Sequence, residues 1–551
     1  MGRAIFGCVV PTFLRSTMNP RSLLPLALLA GALAAQSNQI PGTDAALATT
    51  DGLAQYGHVG TTAGLACGVT VCNVGSVFIH WKAAMDARHP CYAPILCREV
   101  NGRFEQISGR SWLKHGFSSI NASVCNTCNT SDSTILGVGC SDTYGSGLNA
   151  NRYWLGPPEE IDPWLGAWTP TGSYFDRGDP DVGAPRNNDG LRSLTQSMAD
   201  ALSPIAHRVQ VDDADLAAPG ASFWYGMYIV INGEPGTNRD NNAVARKVQP
   251  TGAPGSWGFN DLSGDHQGPL LSNWPGATYT SVGNGQDDGS FYVGVKVTGP
   301  NTSGLWHYAY AVHNRDNVRG GGSFRLAKCP SVTVSNLSFH DIDHNALTDW
   351  TSSVTSTEIA WVAPQGNPIE WNTIYSFSFD ADAGPIQGSA SIDEARAGAG
   401  AATLSVQIDT PGFAYNQTLG QGCGNPLPLL SSYGSPNRAL IPNQSFGMFV
   451  SQAPALSSGV LLASLGTANL AVGNGCTLFL DTATSFTIAP FGTVSLGFAL
   501  LPTPVPNDPN LEGAQLTFQS AILQNGGPLF GVGTLTNGLL ITIGNGITGC
   551  H

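Results

Sequence analysis

From about residue 205 onward, apolar side chains recur at every second position. Phe291, Val293, Val295 and Val297 alternate with polar or small residues, and so do Trp306, Tyr308, Tyr310 and Val312. Tyr375, Phe377 and Phe379 alternate with Ser376, Ser378 and Asp380. A period of two belongs to a strand with one face buried, whereas a helix repeats every 3.6 residues. Gly- and Asn-rich turns separate these runs, which favours antiparallel sandwiches over a parallel α/β sheet. Amphipathic helices are scarce; residues 193–202 are the best short candidate. The expected fold is mainly β: several antiparallel β-sandwich domains, with a disulfide-rich, loop-rich N-terminal region.

Cysteines and the N-terminus set the compartment. Arg21 precedes an apolar run from residue 23 to 33, followed by Ala34, Ala35 and Gln36. A basic flank, a short apolar stretch and small residues describe a secretory signal peptide over residues 1–35. The run is too short to span a bilayer, and no other segment reaches the required length. Of the 12 cysteines, Cys67, Cys72, Cys91, Cys97, Cys125, Cys128 and Cys140 crowd one window. Export makes disulfides the expected state of these residues. Cys125-x-x-Cys128 is also half of a zinc pattern, with Cys140 nearby. Cys423 and Cys476 are expected to pair, and Cys550 is the candidate for the odd unpaired cysteine.

Four segments follow from these signals: the signal peptide, a cysteine-rich region at 36–204, a β-sandwich domain at 205–410 and a C-terminal β-sandwich module at 415–551. The small-residue stretch 395–403 and Pro411-Gly412 suggest the last boundary. Within the module Val494, Leu496, Phe498 and Leu500 alternate, as do Leu516, Phe518 and Ile522. The net charge of -14, on a chain with only 11% charged residues, offers no basic stripe for nucleic acid.

Catalytic signatures such as G-x-S-x-G, H-E-x-x-H and the phosphate-binding G-x-x-x-x-G-K-S/T do not occur. The G-x-G-x-x-G at residues 544–549 lies two residues from the C-terminus, leaving no helix for a pyrophosphate. Two clusters carry chemistry. In the first, Lys114 and His115 follow Trp112, and a His beside a Lys can supply general acid–base catalysis and anion stabilisation. Trp-x-Lys-His-Gly resembles the second active-site segment of T2 ribonucleases, although Ser111 and Ser118 stand where that family has an acidic residue and a cysteine. Asp142, His80 and His89 are the other candidates for a site here, which would suit a secreted hydrolase acting on a polymer.

The second cluster is His340-Asp341-Ile342-Asp343-His344, followed by Asp349. On an extended strand His340 and His344 share one face, and Asp341 and Asp343 share the other. The histidines could hold a transition metal, as in a metal-dependent oxidoreductase. The carboxylates, with Asp349, Asp380 or Asp382, could hold calcium. Two loops are read as local chemistry. Residues 238–243 are an amide-rich turn, with Trp224, Tyr225 and Tyr228 as aromatic neighbours for a sugar. Arg177-Gly178-Asp179 is a loop tripeptide.

Residues 102–107, 111–117, 137–142, 306–314, 339–343 and 375–382 together resemble a family of uncharacterised secreted proteins from planctomycete-type bacteria. The C-terminal domain resembles a module attached to many of their exported proteins. The resemblance implies export and a β-rich fold, and no activity or active-site residues. The expected role is binding or structural, with extracellular polysaccharide or cell-surface components as partners.

Overall fold

A computed structural model describes residues 40–545 apart from 84, 184–185, 285–288, 331, 413–414 and 436. The expected signal peptide, Cys8, Cys550 and the end of the G-x-G-x-x-G string lie outside the described residues. Among the described residues no helix is long and apolar enough to cross a membrane.

The chain is mainly β and its large sheets are antiparallel, as expected; the short pair Leu440–Ile441 with Gly544–Asn545 is parallel. A long hairpin, Ala45–Val59 with Thr62–Asn73, turns at Gly60, whose φ of +60° suits glycine. Val209–Asp212 and Ser141–Tyr144 both pair with its second strand. Leu47, Leu65, Val69 and Val71 pack from this sheet into one core with Tyr92, Leu96, Phe223 and Ile229. The facing sheet runs Ser256–Asp261, Ala243–Ala253, Ser222–Val230, Cys91–Val100, Leu113–Lys114 and Leu155–Gly156. Cys91–Val100 and Ser222–Val230 are partners over nine residue pairs, so strands from both sides of residue 204 share this sheet.

The next sandwich faces Thr278–Gly283, Ser290–Thr298, Trp306–Asn314, Thr373–Ala381 and Val334–His340 against a second five-stranded sheet centred on Gly321–Ala327. Tyr308, Tyr310, Phe377 and Phe379 point inward onto Phe324 and Trp361. The intervening serines do not face water. Ser376 and Ser378 are buried, and the Ser376 hydroxyl donates to Phe104 O. Gln106 Oε1 accepts the Ile374 N–H at 2.8 Å. Ile95, Phe104, Trp224, Trp274, Tyr292 and Ile374 form the apolar layer that joins the two sandwiches. A strand face of serines and apolar residues covered by a second sheet keeps the period of two but loses its solvent side. The small-residue stretch near 395–403 is the loop of the Pro385–Glu394 and Thr403–Pro411 hairpin.

The C-terminal sheets are Tyr415–Leu419, Gly538–Thr542, Gln515–Leu523, Ser458–Ser464 and Phe486–Gly492, facing Leu429–Tyr433, Gly447–Ser451 and Ala499–Pro502. The alternation at 494–500 is only half strand. Residues 494–498 turn, Gly497 has φ +70°, and a Cβ there would meet Ala453 O at 2.2 Å. The short helix is Gln196–Ala201, capped by Thr195, whose hydroxyl accepts the Met198 N–H at 3.3 Å.

Cys72 pairs with Cys125, Cys128 with Cys140 and Cys423 with Cys476. The zinc reading of Cys125 and Cys128 is therefore wrong, because both thiols are oxidised. Cys329 is also disulfide-bonded. Three cysteines of the crowded window, Cys67, Cys91 and Cys97, are buried thiols rather than disulfides. They sit in three different apolar clusters, so no two of them meet.

Candidate functional site

Lys114 and His115 are consecutive at the end of a strand that pairs with Tyr92 on one side and with Leu155 and Gly156 on the other. Extended backbone sends neighbouring side chains to opposite faces, and these two enter different layers. The His115 Nδ1 and the His89 Nε2 are 2.8 Å apart. Trp168 stacks on His89, and Phe175 meets His115 edge-on. A Cβ at residue 156 would lie 3.1 Å from the His115 Nε2, so Gly156 is what lets the ring in. That nitrogen is buried with no hydrogen-bond partner among the described residues. Burial, then His89 and Lys114, pushes the His115 pKa well below the usual range, so the imidazole stays neutral.

On the other face the Lys114 Nζ donates to His115 O at 2.7 Å and to Gly116 O at 2.6 Å. It lies over the rings of Phe117, Tyr144 and Trp154. Burial lowers its pKa to about 7, with Arg192 adding to the effect and Asp142 opposing it. Asp142 is engaged elsewhere: it accepts the Trp81 indole N–H at 2.6 Å and the Ile120 N–H at 3.1 Å. Burial raises its pKa. His80 lies beside Arg88, 3.4 Å from its Nη1. His115, Lys114 and Asp142 therefore do not converge on a reacting atom. Each is 3% exposed or less and is held by its own neighbours.

The His340 region also separates. The Val334–His340 strand ends at His340, and the chain then turns. The His340 Nε2 lies 3.9 Å from Glu105, while the His344 Nε2 lies 3.0 Å from Asp215. Arg98 spans those two carboxylates, at 3.0 Å from Glu105 and 2.7 Å from Asp215. Asp341 accepts the Asp343 N–H at 3.0 Å and the Asn367 amide at 2.7 Å. Asp343 accepts the Asn345 N–H at 2.6 Å. The two backbone contacts are turn-forming contacts of the loop itself, and the Asn367 amide ties the loop to a neighbouring segment. Asp380 takes the His307 Nδ1 and the Asn336 amide, each at 2.7 Å, and Asp382 accepts the Thr333 N–H at 2.8 Å. Among the described residues no group of three or more His, Cys, Asp or Glu side chains is placed to hold a metal ion.

Trp224, Tyr225 and Tyr228, the candidate sugar platform, are core side chains. Asp179 of the Arg-Gly-Asp tripeptide is buried too, accepting the Tyr174 hydroxyl at 2.8 Å.

An open cleft of about 380 Å³ forms where residues 158–163 approach Arg110, Val318, Trp371 and Arg396. Trp371 is its floor, with the indole N–H donating to Pro158 O at 3.0 Å. Two ion pairs flank it. Arg110 donates to Glu159 at 2.8 Å, and Arg396 grips Glu370 through both terminal nitrogens. Asp162 accepts the Leu165 N–H at 2.9 Å, and Glu160 accepts the Tyr174 N–H at 2.7 Å. Burial raises the Glu160 pKa. Sequence reading placed no site here. Glu159 and Glu160 lie in a stretch that reads as loop, and the Arg396–Glu370 pair on the other side of the cleft is more than 200 residues further along the chain.

No family model and no curated protein matches the chain. Among solved structures, the major pilin subunit of Bacillus cereus aligns over 56% of this chain and 80% of its own, at 7% identity and a TM-score of 0.17. Escherichia coli alpha-2-macroglobulin activated by porcine elastase aligns over 90% and 35%, at 7% identity and 0.13. Scores this low bear on neither fold nor function.

Proposed function

We propose that the chain is an exported protein with a binding or structural role at the cell surface or outside the cell. The observation that carries this reading is the spread of oxidised cysteines, from Cys72–Cys125 to Cys423–Cys476, since disulfides persist in oxidising compartments. The apolar run at residues 23–33 and the resemblance to secreted planctomycete-type proteins point the same way. The binding or structural role, rather than catalysis at His115, draws support from that side chain's burial against His89, Trp168 and Phe175. A general base must come within hydrogen-bond reach of its substrate proton, and this one is 1% exposed.

The test is expression of the whole chain in a Gram-negative host. Recovery outside the cytoplasm, with a new N-terminus near Ala35 and protected cysteines before reduction, is the expected result. A cytoplasmic product that keeps residues 1–35 would overturn the reading.

A further inference from the structure

We propose that the cleft over Trp371 binds a neutral, hydroxyl-rich ligand, a segment of an oligosaccharide chain. The inference rests on the binding role proposed above and gives it a place and a ligand class. The cleft's volume of about 380 Å³ lies within the range of small-molecule sites. Five separate stretches of chain build it, at residues 110, 158–163, 318, 370–371 and 396, so it is a product of the tertiary fold rather than a gap beside one loop.

Its chemistry narrows the ligand. The walls present guanidinium donors and carboxylate acceptors side by side, Arg110 with Glu159 and Arg396 with Glu370. An apolar ligand would strip water from these groups and return no hydrogen bond, a costly exchange. An anion would meet Glu159, Glu160, Asp162 and Glu370. A cation would meet two arginines, and two of the four carboxylates are already neutralised by them. The other two, Glu160 and Asp162, already accept backbone N–H groups. A hydroxyl differs because it donates and accepts at once. Vicinal hydroxyls can take a guanidinium N–H and give to the adjoining carboxylate without separating the ion pair. Such hydrogen bonds to charged groups are the strong class.

The site is also rigid. The Trp371 indole is tied to Pro158 O, the Arg396 Nη1 also donates to Val318 O at 3.1 Å, and Glu160 is anchored at Tyr174. Binding therefore loses little conformational freedom in the protein.

The experiment uses the purified mature chain. It is screened on an array of neutral, N-acetylated, uronate-bearing and aminated oligosaccharides, and hits are measured by titration calorimetry. Binding of neutral or N-acetylated chains is the expected result. Glu159→Gln and Arg396→Gln change half-exposed or exposed side chains. Each should weaken that binding about tenfold or more, the loss expected for a hydrogen bond to a charged group. Leu496→Ser, at an 82% exposed position of the C-terminal module, should leave it unchanged. Melting curves of all variants show that each is folded. No binding of any neutral or N-acetylated chain at millimolar concentration overturns the proposal. Preference for charged glycans, or equal binding by the two cleft variants and the wild type, also overturns it. Sugar binding by a protein that stays in the cytoplasm would remove the export reading alone. Export without sugar binding would remove this site alone.

Discussion

The first sandwich and the C-terminal module close loops of the same length with a disulfide but fill their cores with different chemistry. Cys72–Cys125 and Cys423–Cys476 each span 53 residues of sequence separation. Around the first, the protein buries charged and titratable groups: Lys114, His89, His115, Glu105 and Asp142. Around the second, the buried polar groups are uncharged, among them Thr517, Gln519, Ser520, Thr534, Thr536 and Asn537. From residue 415 on, the only Asp, Glu, Lys or Arg residues are Arg438, Asp481, Asp508 and Glu512. The module also exposes large apolar side chains, with Leu496 at 82%, Leu456 at 78% and Phe530 at 74%. The first core therefore responds to pH through its buried ionisable groups, and the second holds its polar interior by neutral hydrogen bonds.

The largest effects come from the disulfides. Replacing both cysteines of either pair by serine should lower stability by about 4 kcal/mol on the chain-entropy account, because the two loops are equal. Guanidinium unfolding followed in each region checks this. A clearly smaller loss at Cys72–Cys125 would show that the charged core and the neighbouring Cys128–Cys140 bridge carry what the entropy account assigns to the loop.

Next is Trp81→Phe, which removes the donor to a buried carboxylate oxygen of Asp142. The expected loss is about 2 kcal/mol or more, read as a lower midpoint in denaturant. Its counterpart is Thr536→Val, which deletes the neutral hydroxyl that accepts the Ser520 N–H at 2.9 Å. About 1 kcal/mol is expected there. Equal losses would erase the contrast between the two cores.

A pH effect of intermediate size should belong to the first sandwich alone. Folding lowers the Lys114 pKa from 10.5 to about 7, so between these values the unfolded chain binds more protons. Stability contributed by this group therefore rises as pH goes from about 7 towards 10.5. Lys114→Met should abolish that rise. The difference between wild type and variant, measured by denaturation at several pH values, isolates Lys114 from Glu234, which titrates near 8. A difference that stays flat across this window contradicts the assignment.

The smallest effect is expected at the module's surface. Phe530→Ser should change stability by no more than about 0.5 kcal/mol. It should reduce self-association in sedimentation or light scattering, since exposed apolar patches promote association.

The alternation of Tyr375, Phe377 and Phe379 was enough to place strands and a core, because the side-chain period of a strand is a local property of the backbone. It did not reveal that Ser376 bonds Phe104 and that Ser378 is buried rather than facing water. That depends on which sheet docks outside, and the docking partner lies some 270 residues earlier. Cys423 and Cys476 were legible as a pair once Cys550 was set aside as the odd cysteine, whereas the crowded window left its pairings open. Lys114 and His115 read as a unit in sequence, yet adjacent strand residues diverge by geometry.

The chain by itself determined the β class, the antiparallel habit and the cysteine pair of the last module, all set by local periodicity or simple arithmetic. Tertiary structure alone decided which polar groups are spent and which stay open. It packed His115 against His89, Trp168 and Phe175 and drew His340 and His344 towards different carboxylates, because which side chains meet depends on how the sheets dock. It also built the polar cleft over Trp371 by bringing the Arg110–Glu159 pair up to the Arg396–Glu370 pair, more than 200 residues further along the chain.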